Sequence, residues 1–423
     1  MRRPPLAPLI LAALAACSSD EAPPCEGPNG PCIELAPSGG DDHGALQTAL
    51  IEAAPGDVIY LAAGTYEVSQ GLSLAVDDVT LRGAGMDETV ISFAGQVDGA
   101  QGLLVTADGF TAEDLAVMDT AGDGIKVEGG ARVIVRRVRV EWSGTPSQDN
   151  GAYGLYPVQC TDVLIEDSLV RGASDAGIYV GQSERIVVRR NRVERNVAGI
   201  EIENSFDADV FENTATENTG GVLVFNLPGL QVQNGSRTRV FDNEVFDNNW
   251  PNFAPEGNIV GKVPQGTGIA LLAAHQVELF GNRIADNQTV NAAAISYYMT
   301  QLELDDPEYD PFSDTIYIHD NEFSGGGDRA SGELGFALLA ALNNLEEPPE
   351  AVPDIVFDGI MDPDKMDGDG LAAEFNLCIR EGGDADFVNL DAEHEFAGVS
   401  LDMAPHDCEH PALPAVELDG IDL

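Results

Sequence analysis

Four side chains that can carry a proton or a charge follow a glycine by two positions in short segments of similar sequence: Lys126, Tyr156, Tyr179 and Glu201. Because residues in a strand alternate between its two faces, these side chains would form one outward column. Removal of the proton next to a uronate carboxylate needs a base such as tyrosine or lysine, and a cation that stabilises the resulting anion. With Arg189 as a further cation, the residue types predict a catalytic site of a lyase or epimerase that acts on acidic polysaccharide.

Polar side chains in and beside this column could bind sugar, because carboxylates and amides form hydrogen bonds with hydroxyl groups. The alternative is structural, since any exposed strand face carries such residues and they can simply stay solvated. The substrate-binding candidates are Asp175, Gln182, Glu201, Glu203, Asn204 and Asn226.

The segment MDPDKMDGDG, residues 361–370, offers a different chemistry, since closely spaced carboxylates are typical of calcium loops. It lacks the spacing and the terminal glutamate of an EF-hand. The sequence specifies no cofactor, and calcium is the candidate metal, with Asp362, Asp364, Asp367 and Asp369 as its ligands.

A sequence repeat positions the candidate residues. Gly154, Gly177, Gly199 and Gly221 follow one another at steps of 23, 22 and 22 residues, and each begins a segment in which apolar and polar residues alternate. A second alternating segment follows each of them. A fixed period of this length is typical of a solenoid, in which every repeat forms one coil.

Asparagine recurs after the second segment of the repeats. An amide can donate to the copy above and accept from the copy below, so stacked asparagines would form a hydrogen-bonded ladder at the turns. Strands and turn ladders at this period predict an all-β protein, a single-stranded right-handed parallel β-helix of about ten coils that rise about 4.8 Å each. The two asparagine series are residues 191, 213, 243, 282 and 321, and residues 196, 218, 248 and 287.

The ends of this β-helix need covers, because an open end exposes apolar interior and unpaired strands. The segment DDHGALQTALIEAA, residues 41–54, predicts a short amphipathic helix that caps the first coil. We place the β-helix at residues 40–325. Residues 326–423 lack the repeat and predict an irregular, acidic C-terminal cap region.

Eleven of the 21 lysines and arginines lie between Lys126 and Arg195, which makes this band a candidate seat for an acidic polymer. The other interpretation is that opposite charges on adjacent coils pair, since Arg137, Asp167 and Arg190 share an outward column. The sequence favours pairing over a ligand.

The formal net charge of -51 limits the partners. A chain this acidic stays soluble and repels nucleic acid, which excludes DNA or RNA as a partner. We expect a monomer whose partner is a polysaccharide.

The N-terminal residues predict that the protein is located outside the cytoplasm. Arg2 and Arg3 precede an apolar run that is too short to span a membrane as a mature helix, so residues 1–16 are typical of a signal peptide. The sequence LAAC, ending at Cys17, resembles a bacterial lipobox, in which that cysteine becomes acylated. Residues 17–39 would then be the lipidated cysteine and a flexible tether. We expect an extracytoplasmic protein, facing the periplasm or the cell surface, that is held on a bacterial membrane by this lipid alone.

The remaining cysteines fit an oxidising compartment. Cys25 and Cys32 bracket a turn, which predicts a disulfide between them. Cys378 and Cys408 both lie in the C-terminal region and are predicted to pair. Cys160 is left over and is expected inside the repeat.

The runs GDVIYLAAGTY, LRGAG and YGLYPVQC resemble the pectin-lyase-like superfamily and, within it, bacterial right-handed parallel β-helix repeat lipoproteins of the NosD type. The resemblance covers roughly residues 40–423. It implies the β-helix fold, and either action on carbohydrate or a non-catalytic role in binding at the cell envelope, because a fold alone does not set a function. The chain lacks a motif like the DPHD of mannuronan epimerases.

Overall fold

The computed structural model describes residues 25–368, 370–383 and 385–423. They form stacked coils, and each coil has three faces. The strands on each face pair in parallel with the equivalent strands on the adjacent coils. The predicted signal peptide, residues 1–16, and the predicted lipidation site Cys17 lie outside the described residues.

Face 1 is a parallel sheet of 11 strands that contains the glycine segments. The glycines are needed because the coils approach closely there: a Cβ on Gly199 would lie 2.5 Å from the carbonyl oxygen of Gly221. The strands are Leu72–Leu74, Gln101–Val105, Asp123–Glu128, Tyr153–Val158, Ala176–Gly181, Ala198–Glu203, Gly220–Phe225, Thr267–Leu272, Val290–Ile295, Ile355–Phe357 and Phe387–Asn389.

Face 2 carries the second segment of each repeat, and face 3 consists of short strands. Thr111–Met118 and Ala131–Glu141 run through both faces. The other strands of face 2 are Ile33–Leu35, Val58–Leu61, Thr80–Arg82, Thr161–Glu166, Glu184–Arg189, Phe206–Phe211, Ser236–Phe241, His275–Phe280, Asp314–His319 and Leu377–Arg380. Those of face 3 are Gly64–Glu67, Thr89–Ser92, Leu169–Arg171, Arg192–Glu194, Thr214–Thr216, Glu244–Phe246, Arg283–Ala285 and Glu322–Ser324. Among the described residues, the strand pairs Glu26–Gly27 with Gly30–Pro31 and Met366–Asp367 with Gly370–Leu371 are antiparallel and lie outside the coils.

Inward side chains fill the coils in columns of apolar residues. Ile178, Ile200 and Val222 are in register on successive strands of face 1 and are fully buried. Each such burial contributes about 1.5–3 kcal/mol to folding. The alternation that predicts these strands therefore also builds the core.

The predicted asparagine ladders are confirmed. Asn191 Nδ2 donates to Asn213 Oδ1 at 3.0 Å, and Asn196 Nδ2 donates to Asn218 Oδ1 at 3.0 Å. All members of both ladders are buried. The ladders satisfy backbone groups at the turns, which would otherwise cost free energy in the interior.

Helices contribute to the ends of the rod. Helix α1, His43–Glu52, buries Leu46, Ala49 and Leu50 against the core of the first coils, so the predicted N-terminal cap is confirmed. Helix α2, Gly332–Leu342, packs beside face 1 near its far end. In the part of the chain that the structure describes, short 3₁₀ helices occur at Ile259–Lys262, Tyr297–Thr300, Pro363–Lys365, Ala392–His394 and Ala404–His406.

The coils continue past residue 325, so the predicted end of the β-helix is wrong. Ile355–Phe357 and Phe387–Asn389 extend face 1, and Leu377–Arg380 extends face 2. Long insertions between these strands hide the 22-residue period from the sequence. The last residues then run back along face 2, where Val416 donates its backbone N–H to Asp209.

The arginine band is paired with carboxylates, as the sequence favours. Arg190 Nε lies 2.8 Å from Asp167 Oδ1, and Arg185 Nε lies 2.7 Å from Asp162 Oδ1. Arg137 pairs with Asp114 on the preceding coil, at 2.6 Å. The arginines therefore neutralise the protein's own acidic ladder.

The structure joins Cys25 to Cys32 and Cys378 to Cys408 by disulfides, and Cys160 is buried as a free thiol. Within the part of the chain that the structure describes, no helix has the length and apolar character needed to cross a membrane.

Candidate functional site on face 1

Face 1 is open at one end and covered further along. In the strand Asp123–Glu128 the outward residues are at least partly exposed. In Ala176–Gly181 and Ala198–Glu203 every residue is buried. The prediction that Tyr179 and Glu201 lie on an exposed face is therefore wrong: they point out of the coil, but other segments cover them.

Amide side chains hold one of the covering segments, the loop of residues 227–235. Asn204 Oδ1 accepts a hydrogen bond from the backbone N–H of Leu227 at 2.7 Å. Asn226 Oδ1 accepts from another N–H of the loop at 2.7 Å, and Gln182 Oε1 accepts from two more. The sequence predicts that these three amides bind substrate, and the structure uses their oxygens to anchor the loop instead.

Three tyrosine rings meet where the open half of face 1 becomes covered. The ring centroids of Tyr153 lie 4.5 Å from those of both Tyr156 and Tyr179, and Tyr156 lies 5.0 Å from Tyr179. Lys126 Nζ lies 5.1 Å from the centroid of the Tyr156 ring. The border therefore carries an aromatic surface with one cation on its open side.

Buried carboxyl groups lie directly behind the rings. Tyr179 donates its hydroxyl hydrogen to Glu203 Oε1 at 2.6 Å, and Asn258 Nδ2 donates to Asp175 Oδ2 at 2.8 Å. Burial raises the pKa of Glu203 to about 7; burial and the neighbouring Glu203 raise the pKa of Asp175 to about 7. Both groups can therefore gain or lose a proton near neutral pH, which is the property of a general acid or base.

Glu201 is the most isolated of these carboxyl groups. It is 1% exposed, and neither of its oxygens has a hydrogen-bond partner in the residues that the structure describes. Its neighbours in register are Tyr179 and Leu223. Burial and the charge of Asp175 raise its pKa well above the usual range of a glutamate. The cover thus encloses a carboxyl group that costs folding free energy.

We expect the Glu201→Leu variant to be more stable than the wild type by about 1–3 kcal/mol, because it removes unpaired buried oxygens and matches the leucine at position 223 on the next coil. Urea unfolding at about pH 8 measures the difference. Glu128→Leu, on an exposed position of the same face, is the control and should change stability by less than about 0.5 kcal/mol. A loss of stability in Glu201→Leu would show that Glu201 has a partner in solution.

Two of the predicted catalytic residues are poorly suited to that role. Burial and the negative charge of Glu203 raise the pKa of Tyr179 far above its usual range, so the phenol is a hydrogen-bond donor and a poor base. Arg189 lies on face 2, with Nη2 2.8 Å from Glu166 Oε2. The grouping of Arg189 with the tyrosines is wrong, because the second segment of each repeat faces a different side of the rod.

The structure adds Asp123 and Tyr153 to the open half of the site. Both precede the column glycine by one position, and Tyr153 donates its backbone N–H to Asp123 Oδ1 at 3.2 Å. Burial raises the pKa of Asp123 to about 6, against the effect of Lys126. The sequence could have pointed to these two residues only through their position directly before the column glycine. The repeat does not draw attention to that position, because small residues occupy it on the next coils.

The described aspartates of the predicted calcium loop do not converge. Asp362 lies 3.3 Å from the ammonium of Lys365, which also lies 2.7 Å from both Asp310 and Asp314. Asp369 is outside the described residues. The loop thus places the Lys365 ammonium between Asp310 and Asp314, and calcium binding stays a prediction.

The fold of the chain is shared with known proteins. A family model described as a right handed beta helix region matches residues 97–236. The A-module of the mannuronan C-5 epimerase AlgE4 of Azotobacter vinelandii aligns with a TM-score of 0.50 and 21% identity, over 75% of this chain and 90% of that chain. This chain is a right-handed parallel β-helix.

Two curated relatives align with part of the chain. The mannuronan C5-epimerases AlgE1 and AlgE3 of Azotobacter vinelandii are each 30% identical to it, over 224 and 226 residues. Each alignment covers 46% of this β-helix chain, and it covers 15% of AlgE1 and 12% of AlgE3. The chain therefore spans a small part of the length of these relatives.

Proposed function

We propose that the protein binds a polysaccharide along the open half of face 1 and acts on it by proton transfer, as a lyase or an epimerase does. The observation that carries this proposal is the border on face 1, where tyrosine rings and a lysine are partly exposed beside Asp123, a carboxyl group with a pKa of about 6. The names of the similar proteins, mannuronan C5-epimerases, support a uronate polymer as the substrate.

Each residue of the open half has a role in this chemistry. The rings of Tyr153 and Tyr156 stack on sugar units, and the Lys126 ammonium pairs with the uronate carboxylate and stabilises the anion formed from it. The Asp123 carboxylate accepts the proton from the carbon next to that carboxylate. Return of a proton from solvent to the opposite side of that carbon completes an epimerisation. Alternatively, the bond to the neighbouring glycosidic oxygen breaks, this oxygen takes a proton from solvent, and the unsaturated sugar that remains completes a β-elimination.

The cover constrains how the polymer can lie. In the strands Ala176–Gly181 and Ala198–Glu203 the outward residues are buried, so a chain that lies along face 1 meets the cover beside Tyr153 and Tyr156. A blind end of this kind favours binding at a chain terminus over binding in the middle of a polymer. The substrate preference should therefore shift toward short oligosaccharides with free ends.

The test uses alginate, pectate and their oligosaccharides in deuterated water. We expect deuterium at the uronate carbon or an unsaturated product that absorbs in the ultraviolet. We expect Asp123→Asn to lower the rate by about 100-fold or more, since a general base contributes 10²–10⁴-fold. The rate should rise with pH through about 6, where Asp123 loses its proton. Glu52→Gln, on the exposed side of helix α1, is the control.

A second function, glycan binding without reaction, is favoured by one observation: the structure removes Tyr179 and Arg189 from the accessible site. Calorimetry separates the two functions. Oligosaccharide binding that is lost in Tyr156→Ala, with no exchange or product in the wild type, would favour the binding function. If the protein neither binds nor turns over any of the uronate polymers, both functions are contradicted.

We also propose the extracytoplasmic, lipid-anchored location. The disulfides Cys25–Cys32 and Cys378–Cys408 support an oxidising compartment. Metabolic labelling with a radioactive fatty acid tests the anchor, and Cys17→Ala should abolish the label. Label that persists in Cys17→Ala would exclude this cysteine as the anchor.

A further inference from the structure

A second site lies further along face 1, away from the tyrosines. A cavity of about 80 Å³ opens there between the strands of face 1, helix α2 and the 3₁₀ helix Ile259–Lys262. Its floor is formed by Ala270 and Ala293, which are in register on adjacent strands. Larger side chains occupy the equivalent positions on either side, Leu223 and Val356. The two alanines therefore leave a gap in a column that is otherwise filled.

The walls and the roof of this cavity are apolar. Phe225, Leu272 and Ile295 lie along one side in register, and helix α2 contributes Leu334 and Leu338 from above. An empty apolar cavity forfeits contacts and excludes water, which makes it a site for an apolar group. The cavity therefore suits an alkyl chain.

A polar chamber of about 370 Å³ adjoins the apolar cavity, because both are lined by Lys262, Pro264, Met299 and Leu334. The first turn of helix α2 also lines the outer chamber, so its backbone N–H groups add to the positive potential there. The two spaces thus form one site with an apolar inner part and a polar outer part.

Lys262 sets the charge that this site would take. Across residues 25–368, 370–383 and 385–423, it is the one lysine or arginine with no carboxylate oxygen within 4.0 Å, in a protein whose formal net charge is -51. Glu333 is the other charged residue on the lining of the outer chamber, and it is exposed to solvent. A lysine left unpaired beside an apolar cavity is complementary to an amphipathic anion.

We propose that this site binds a free medium-chain carboxylate, with its alkyl chain in the apolar cavity and its carboxylate on Lys262. The site is separate from the proposed polysaccharide site, since it uses the strands from Gly220–Phe225 to Ile355–Phe357 and none of the tyrosines. The proposal therefore stands or falls independently of the proposed function.

Isothermal titration of the full chain with octanoate tests the site. We expect one octanoate per chain, and octan-1-ol, which lacks the charge, should bind at least about tenfold more weakly. Lys262→Gln should weaken octanoate binding about tenfold and Glu333→Gln should tighten it, since one removes the partner and the other removes a like charge. Ala293→Leu should abolish binding because it fills the floor. Arg380→Gln, on face 2 and outside the lining of both spaces, should leave binding unchanged.

The outcomes separate a binding site from a packing gap. Absence of octanoate binding at its solubility limit would overturn the proposal, as would equal affinities of the wild type and Lys262→Gln. Thermal unfolding of Ala293→Leu shows whether that variant is folded. If it is not, the Lys262→Gln and Glu333→Gln variants, which change partly exposed side chains, decide the question in its place.

Discussion

The Asn218→Leu variant is expected to be less stable than the wild type by about 3–5 kcal/mol, because it interrupts a buried ladder of hydrogen bonds. The amide of Asn218 donates to Asn248 Oδ1 at 3.0 Å and to the carbonyl of Val193 at 3.0 Å. Its own oxygen accepts from the backbone and the side chain of Asn196. Leucine breaks all four bonds and leaves buried partners without replacements, because no water reaches a fully buried ladder. Urea unfolding measures the loss.

Asn344→Leu is the matched control, because the same chemical change is made at an exposed asparagine beside helix α2. We expect it to alter stability by less than about 0.5 kcal/mol. A loss of less than about 1 kcal/mol in Asn218→Leu would show that the ladder adds little beyond the packing of the coils. The ladder would then act on the register of the coils and not on stability.

The ladder and the columns could be predicted because they depend on spacing alone. A 22-residue step brings Asn191 over Asn213, and Ile178 over Ile200, whatever lies elsewhere in the chain. Local alternation and a fixed period thus determine the register without knowledge of long-range contacts. The same logic fails after residue 325, where long insertions separate Ile355–Phe357 from the previous strand of face 1.

The candidate site could be predicted only in part, because exposure depends on contacts that spacing does not encode. The repeat places Tyr179 in its column correctly, but its cover comes from segments distant in sequence. Asn258, for instance, reaches Asp175 from 83 residues away. A column reveals which way a side chain points, but it does not reveal what packs on top of it.

For the arginines, in contrast, the sequence alone could distinguish a structural role in ion pairs from a functional role in binding a ligand. Arg190 and Asp167 occupy equivalent positions on adjacent coils, so a strand spacing of about 4.8 Å already brings opposite charges within reach. Because these arginines are paired with carboxylates, they do not form a basic groove that could bind an anion. Any site for an anion therefore has to come from the remaining cations. Lys126 lies beside the Tyr156 ring, with Glu128 Oε2 3.3 Å away, and Lys262 lines the apolar cavity.

The buried carboxyl groups behind the tyrosines should make the protein less stable as the pH rises from about 5 to about 8. Asp175 and Glu203 keep their protons in the folded state up to about pH 7, whereas in the unfolded chain they lose them near their ordinary values. The folded state binds more protons in this window, so the free energy of unfolding falls as the pH rises through it. The expected change is a few kcal/mol, at about 1.4 kcal/mol per unit of pKa.

The Asp175→Asn/Glu203→Gln double variant isolates this effect, since it keeps the shapes of the side chains and removes both ionisations. We expect its free energy of unfolding to vary with pH less steeply than that of the wild type. Some slope should remain, because burial also raises the pKa of Glu201 and raises those of Asp123 and Asp358 to about 6. Groups with lowered pKa, such as Asp314 at about 2, act in the opposite sense, but only in more acidic solution. Glu128→Gln, on the open half of face 1, should keep the wild-type slope. An equal slope in the double variant would mean that water enters the cover and solvates these carboxylates, and the same opening would admit a sugar to Asp175.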